Sequence, residues 1–282
     1  MPGFRQELVA LFGSPVDENP TQVMVEAAFA QLGLDWRYVT IEVDTGNLGA
    51  AVAGARAMGF RGFHCTIPHK VAVIAHLDAL TPTAERIGAV NCVVRRNSQL
   101  VGENTDGRGL VDALRRRLDL HGRDVVILGA GGAARAIAVE LAAAGVRRLT
   151  LVNRTERRGI DLVRDLRALP GAPAVDFVRW EGDLELPPAD VVVNATSVGL
   201  YPDVEALPAV RLDRVDATTV VADVIPNPPR TRFLTAAEHR GCETVDGLEI
   251  LVEQGVRSVL YWTGLDPNRS TMRAALARAL PS

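Results

Sequence analysis

The segment Val125-Val126-Ile127-Leu128-Gly129-Ala130-Gly131-Gly132-Ala133-Ala134 narrows the fold more than any other part of the chain. A short apolar run ends in a Gly-x-Gly-x-x-Ala turn that leads straight into an alanine-rich stretch of helical spacing. A buried strand is thus joined to a helix by a loop almost without side chains. Such glycines permit a tight turn and let backbone N–H groups and a helix N-terminus approach a pyrophosphate. Gly129, Ala130, Gly131, Gly132 and Ala133 are therefore candidate dinucleotide-binding residues. The alternation continues downstream, with strands expected at 149–152, 175–178, 191–194 and 220–223 and helices at 133–144 and 156–169. Continuous apolar runs mark strands buried on both faces, so the expected fold is α/β with a doubly wound, Rossmann-type parallel sheet.

The first hundred residues alternate as well. Strands are expected at 8–12, 36–43 and 62–67, with a helix from Asn19-Pro20 to about 32 that Gly33 stops, and another at 47–58. A hairpin turns at Arg96-Asn97-Ser98, and a helix is expected over 106–118. The tail, 248–262 and 268–280, is helical. A length of 282 residues lies where single cores usually divide in two.

Charge excludes some functions. A formal net charge of −3 and a pI near 6.0 supply no basic field for nucleic acid or anionic lipid. No apolar run reaches the length of a membrane span, and the N-terminus lacks a secretory pattern, so a cytoplasmic protein is expected. Cys65, Cys92 and Cys242 are scattered and read as reduced thiols. His64, His69, His76, His121 and His239 lack metal-ligand spacing and read as surface or loop residues, so no metal is expected. Of 31 cationic side chains only Lys70 is a lysine. A guanidinium cannot replace an amine that must release a proton, so Lys70 is a candidate proton-transfer residue. Where an NAD enzyme of this fold places a carboxylate for the ribose 2′-hydroxyl, this chain has Asn153-Arg154-Thr155, followed by Arg157 and Arg158. Arg154 with one of the later arginines, Arg158 in particular, suits a 2′-phosphate, so NADP is expected over NAD.

Three further segments carry a resemblance: Thr66-Ile67-Pro68-His69-Lys70, Gly88-Ala89-Val90-Asn91 and Gly102-Glu103-Asn104-Thr105-Asp106-Gly107. They resemble, in order, the Asn-Val-Thr-x-Pro-x-Lys, Gly-Ala-Val-Asn and Gly-x-Asn-Thr-Asp-Gly motifs of the shikimate dehydrogenase family. The glycine loop, Asn153-Arg154-Thr155, Asn194-Ala195-Thr196-Ser197 and Gln254-Gly255 follow in the family's order. The resemblance implies an NADP-dependent alcohol dehydrogenase that interconverts a ring hydroxyl and a ketone, as in shikimate and 3-dehydroshikimate on the chorismate route to aromatic amino acids. It implies catalytic Lys70 and Asp106, substrate contacts from Thr66, Asn91 and Gln254, and cofactor contacts from Asn153, Thr155, Asn194, Thr196, Ser197, Val224 and Gly247. It also implies a substrate-binding and catalytic domain over 1–104, completed by 248–282, and an NADP-binding domain over 105–247, with a cleft between them. A homodimer is compatible with it. Asp106 can also cap the helix that follows it.

The match fails at three points. The family's His-Ser-x-Ser-Pro segment, whose hydroxyls hold the substrate carboxylate, is replaced by Gly13-Ser14-Pro15-Val16-Asp17-Glu18-Asn19-Pro20-Thr21. Pro226 stands for the family's substrate-facing tyrosine, and His64 for its asparagine. Two enzymatic readings stay open. One is a shikimate or quinate dehydrogenase using Ser14, Asn19 or Thr21 for the carboxylate. The other is a related enzyme for an aminoshikimate or an uncharged cyclic polyol, which Asp17 and Glu18 would repel less. A non-catalytic NADP sensor or scaffold is the alternative of a different class, and the retained Lys70 and Asp106 argue against it.

Overall fold

The computed structural model describes residues 5–280, which divide into two compact units, 5–105 with 254–280 and 106–253. The first unit opens with β1 (Glu7–Gly13), α1 (Thr21–Gln31), β2 (Trp36–Glu42), α2 (Leu48–Ala57), β3 (Gly62–Cys65) and the single-turn helix α3 (His69–Ala72). It continues with β4 (Ala79–Leu80), α4 (Pro82–Ile87), β5 (Cys92–Arg96) and β6 (Gln99–Glu103). Its six-stranded sheet has the order β2-β1-β3-β5-β6-β4. The strands β2, β1 and β3 are parallel, whereas β3-β5 and β5-β6 are antiparallel. Alternation along the strands decides which side chains meet. Phe12 and Phe63, with ring centroids 4.8 Å apart, join Cys65, Val93 and the buried face of α2 in one core. His64 and its direct cross-strand partner Cys92 point to the opposite face.

The second unit contains α5 (Asp106–Leu114), β7 (Asp124–Leu128), α6 (Gly132–Ala143), β8 (Arg148–Asn153), α7 (Glu156–Arg167) and β9 (Ala174–Arg179). It is completed by β10 (Val191–Asn194), β11 (Val220–Asp223), α8 (Arg232–His239) and β12 (Glu243–Val245). All pairings are parallel, in the order β12-β11-β10-β7-β8-β9. Chain order therefore reverses between β7 and β10, the switch point at whose strand ends ligands of such sheets bind. The helix α9 (Gly247–Thr263) begins in this unit and ends in the first, where α10 (Arg269–Ala279) packs on α1.

Several expected boundaries move, each for a local reason. The helix expected over 106–118 stops at Leu114, and Arg117 beyond it turns to pair with Glu249. The strand expected to reach 67 ends at Cys65, because Thr66 N–H turns to the Phe12 carbonyl and Ser14 N–H to that of Ile67. The helix α4 is additional to those expected, although its signals are ordinary ones: a Thr81 side chain accepting from Ala84 N–H, Pro82 in the first turn and Gly88 at φ 72°. Among the described residues no helix is long and apolar enough to cross a membrane.

Candidate active site

Four chain segments meet at one end of the first sheet because their backbones hydrogen-bond to one another. Ser14 N–H donates to Ile67 O at 3.0 Å, Cys65 N–H to Asn91 O at 2.9 Å, Val90 N–H to Lys70 O at 2.7 Å, and Asn91 N–H to Glu103 O at 3.2 Å. Gly13 makes the first approach feasible, since a Cβ there would lie 2.3 Å from Thr66 Cγ2. The Asn91 amide donates to Thr105 Oγ1 at 3.0 Å, and its oxygen accepts from Thr105 N–H at 2.7 Å. Asn104 donates to Ala89 O at 3.0 Å. The two Asn-containing motifs are thus stitched together, and Asn91 has a structural task beside any contact with a ligand.

Lys70 stands half-buried on α3, fixed through its own carbonyl to Val90, and it lies close enough to the buried Cys65 to pull that thiol's pKa down. Burial outweighs this and pushes Cys65 up to about 12. All three cysteines are free and buried, and none is a thiolate donor at neutral pH. His69, beside the lysine, is fully buried and donates from Nε2 to Val43 O at 2.6 Å. His64 is also buried. The reading of these two histidines as surface or loop residues is therefore corrected: both are interior groups that tie the sheet to its neighbours. Among the described residues no cluster of potential metal ligands occurs.

The replaced N-terminal segment lines a cavity of about 350 Å³ with Pro15, Val16, Asp17, Glu18, Asn19 and Thr66. Asp17 and Glu18 are exposed. Of the three side chains expected to hold a carboxylate, Ser14 donates to Glu42 at 2.9 Å, Asn19 accepts from Thr21 N–H at 3.0 Å, and Thr21 is buried as the first residue of α1. Three carboxylates therefore surround this end of the sheet.

Asp106 is the first residue of α5, inside the helix rather than at the capping position before it. Packing explains the glycine that follows it, Gly107: a Cβ there would fall 2.1 Å from the Ala136 carbonyl oxygen, so α5 can press on α6 only without one.

In the second unit Gly129 has φ 114°, and a Cβ on it would lie 2.9 Å from Ala195 O. A Cβ on Gly131 or Gly132 would meet nothing within 4 Å, so these two glycines are not demanded by internal packing. Gly131 precedes α6 without any side-chain cap, which leaves the first N–H groups of that helix facing open space. An anion such as a pyrophosphate fits this cradle. At the end of β8 the Asn153 amide donates to Thr155 O at 2.9 Å, shaping the turn. Arg154 and Arg158 are exposed, and among the described residues neither has a carboxylate partner. Two unpaired guanidiniums beside an uncapped helix suit a phosphorylated ribose.

Not every expected cofactor residue faces that cradle. Asn194 is fully buried and donates to Asp223 Oδ1 at 3.1 Å and to Val198 O at 3.3 Å. Its own oxygen accepts from Thr196 Oγ1 at 2.7 Å. Asn194 and Thr196 thus shape the loop, and Ser197 is its exposed member. Val224 is half-buried just past β11. Gly247 is a packing glycine, since a Cβ would lie 2.0 Å from Ile225 O. The fully buried Asp223, which sequence reasoning does not single out, accepts from Asn194, Thr231 and Ile225 N–H. Burial lifts its pKa to about 6, against the pull of those donors.

Residues 11–93 match the profile of the shikimate dehydrogenase substrate binding domain, 112–216 that of shikimate / quinate 5-dehydrogenase, and 247–277 that of the shikimate 5'-dehydrogenase C-terminal domain. The NADP(+) shikimate dehydrogenase of Moorella thermoacetica is 43% identical over 97% of this chain and 93% of its own. The chain belongs to the shikimate dehydrogenase family. The ligand-free 5-ketofructose reductase of Gluconobacter sp. strain CHM43 is similar at 45% identity, with a TM-score of 0.95 over 99% of this chain and 100% of its own. The shikimate 5-dehydrogenase of Thermus thermophilus, solved with NADP(H) and shikimate, is 33% identical with a TM-score of 0.84, over 98% and 100%.

Proposed function

We propose that the chain is an NADP-dependent oxidoreductase that interconverts a secondary ring hydroxyl and a ketone, of shikimate and 3-dehydroshikimate or a close analogue. Bound NADP supplies the hydride acceptor, and NADPH the donor. Lys70 moves the proton: its amine accepts it from the substrate hydroxyl during oxidation, and its ammonium returns it to the developing alkoxide during reduction. Asp106 is the second catalytic group of this reading, accepting a hydrogen bond from a neighbouring substrate hydroxyl. Thr66, Asn91 and Gln254 hold the ring. Gly129 to Ala133 receive the pyrophosphate, and Arg154 with Arg158 selects the 2′-phosphate. The observation that carries this reading is the retention of the chain's only lysine on a turn whose backbone is fastened to the Gly-Ala-Val-Asn motif.

A second reading of the substrate, an uncharged polyhydroxy ketone of sugar size, is favoured by the cavity at the replaced segment. Asp17 and Glu18 repel a carboxylate there and accept hydrogen bonds from hydroxyls. The likeness to a 5-ketofructose reductase points the same way. A panel of shikimate, quinate and inositols with NADP, and of 5-ketofructose and 3-dehydroshikimate with NADPH, separates the two readings. Turnover lost in Lys70→Ala supports the common mechanism. No turnover of any substrate with either cofactor form would favour a non-catalytic NADP-binding protein. The reading places the protein in the cytoplasm. It is compatible with a homodimer, which sedimentation velocity decides.

A further inference from the structure

The buried face of β3 carries one polar group that the mechanism leaves unused, the His64 imidazole. Its Nδ1 lies 2.8 Å from Tyr38 Oη and its Nε2 2.7 Å from Ser258 Oγ, and its ring centroid lies 4.7 Å from that of Trp262 with the planes tilted by 56°. Tyr38 and Ser258 are fully buried. The directions of these bonds follow from counting protons. Ser258 has a single hydroxyl hydrogen, and it goes to the Gln254 carbonyl at 3.0 Å, one helical turn back. With that hydrogen on the carbonyl, Nε2 donates to Ser258, and in the neutral imidazole Nδ1 accepts from Tyr38. Burial keeps the Tyr38 hydroxyl protonated by raising its pKa well above the ordinary value.

The chain of bonds thus runs Tyr38 to His64 to Ser258 to Gln254. It ends on one residue read as a substrate contact, and its second member, His64, lies on β3, the strand that leads into another, Thr66. Trp262, donating to Val93 O at 3.0 Å, fastens the same helix one turn further on, and Gly62 leaves the room for its indole. Ser258 is the fastening nearer to Gln254. We infer that His64 is a positioning residue that sets Gln254 against the ring substrate through Ser258. This inference rests on the reading that Gln254 touches substrate.

The amide nitrogen of glutamine reaches where Nε2 of histidine lies, whereas the amide oxygen of asparagine reaches where Nδ1 lies. His64→Asn therefore keeps the Tyr38 bond and loses Ser258, and His64→Gln keeps Ser258. The probe is shikimate with NADP, or 5-ketofructose with NADPH if shikimate is not turned over. His64→Asn and Ser258→Ala should each raise the KM for that substrate about 3- to 10-fold, the worth of one hydrogen bond. The kcat and the KM for cofactor should stay within about twofold, and His64→Gln should recover most of the affinity. Gln254→Ala should raise KM at least as far, and adding His64→Asn to it should raise it no further. If Gln254→Ala raises KM while His64→Asn and Ser258→Ala leave it unchanged, the positioning role is overturned. An unchanged KM in Gln254→Ala overturns the underlying reading of Gln254 instead. Should His64→Asn fail to fold, Ser258→Ala, which removes one oxygen, tests the same bond.

Discussion

Asp223 offers a quantitative test of how the cofactor unit holds its central loop. Its carboxylate is fully buried and accepts three hydrogen bonds, from the Asn194 amide, the Thr231 hydroxyl and the Ile225 N–H. Those donors favour the charged form, and burial favours the neutral one. Burial prevails, so the folded pKa is about 6 against an ordinary value of 3.8. The folded state then holds the proton more tightly than the unfolded chain does. Stability from this group is complete below pH 3.8 and declines as pH rises through about 6. The full loss amounts to roughly 3 kcal/mol, of which about 2 kcal/mol falls between about pH 4.5 and pH 7. Asp223→Asn removes the titration. Its amide oxygen can still accept from Asn194 and Ile225, while its NH2 obliges the Thr231 hydroxyl to turn round, a cost independent of pH. In urea melts across that range, wild type should therefore lose about 2 kcal/mol relative to Asp223→Asn as pH rises. A difference that stays flat, or in which wild type gains with pH, would show that the three donors outweigh burial and that the carboxylate is charged throughout.

Other consequences are simpler. Arg154→Ala and Arg158→Ala should each raise the KM for NADP about 10- to 100-fold, as expected for a lost charge-assisted hydrogen bond, with the KM for NAD unmoved in the same steady-state assay. Gly107→Ala should destabilise the second unit by about 1–3 kcal/mol through overpacking against backbone, read by urea melts. Gly131→Ala should melt like wild type, since its Cβ meets nothing, yet bind NADP more weakly in a fluorescence titration. Lys70→Arg should lose about 100- to 10,000-fold in kcat and be no better than Lys70→Ala, because a guanidinium does not release its proton at working pH. Partial rescue by Lys70→Arg would mean that charge, and not proton transfer, is what the position supplies.

The parts of this protein that are legible in its sequence are those whose determinants are local. The Gly129–Ala133 loop, the strand ending at Asn194 and the one ending at Asp223 each combine an apolar run with a neighbouring turn, and periodicity alone locates them. Likewise, the Gly33 stop and the Asn97-Ser98 turn rest on single-residue backbone preferences, with φ 69° at Gly33 and 57° at Asn97. Burial of polar groups is not legible, because the partners are remote: His64 meets Ser258 across 194 positions, and Asn194 meets Asp223 across 29. An isolated histidine or asparagine carries no mark of whether it faces solvent, a ligand or another side chain. Hence sequence alone reads the histidines as exposed, and Asn194 as a cofactor contact rather than the keystone of its loop.

The same distinction separates the chemistry of this site from its specificity. Proton transfer needs one amine at one place, and the constraints that deliver it are short-range: a turn after β3, and the Val90 N–H bonded to the Lys70 carbonyl. Recognition of a carboxylate needs unused donors and a field that does not oppose it. At the start of the chain both conditions have changed, since the Ser14 hydroxyl is already given to Glu42 and the neighbouring positions carry Asp17 and Glu18. Asn19 is the informative exception. Its oxygen is occupied by Thr21 N–H, so of this residue, which lines the cavity, the NH2 is the group left to donate. An amide donor among carboxylate acceptors matches alternating carbonyl and hydroxyl groups better than it matches a second anion. Asp17 and Glu18, which line that cavity, thus bear on which substrate the proposed site would select, and not on the turn that carries Lys70.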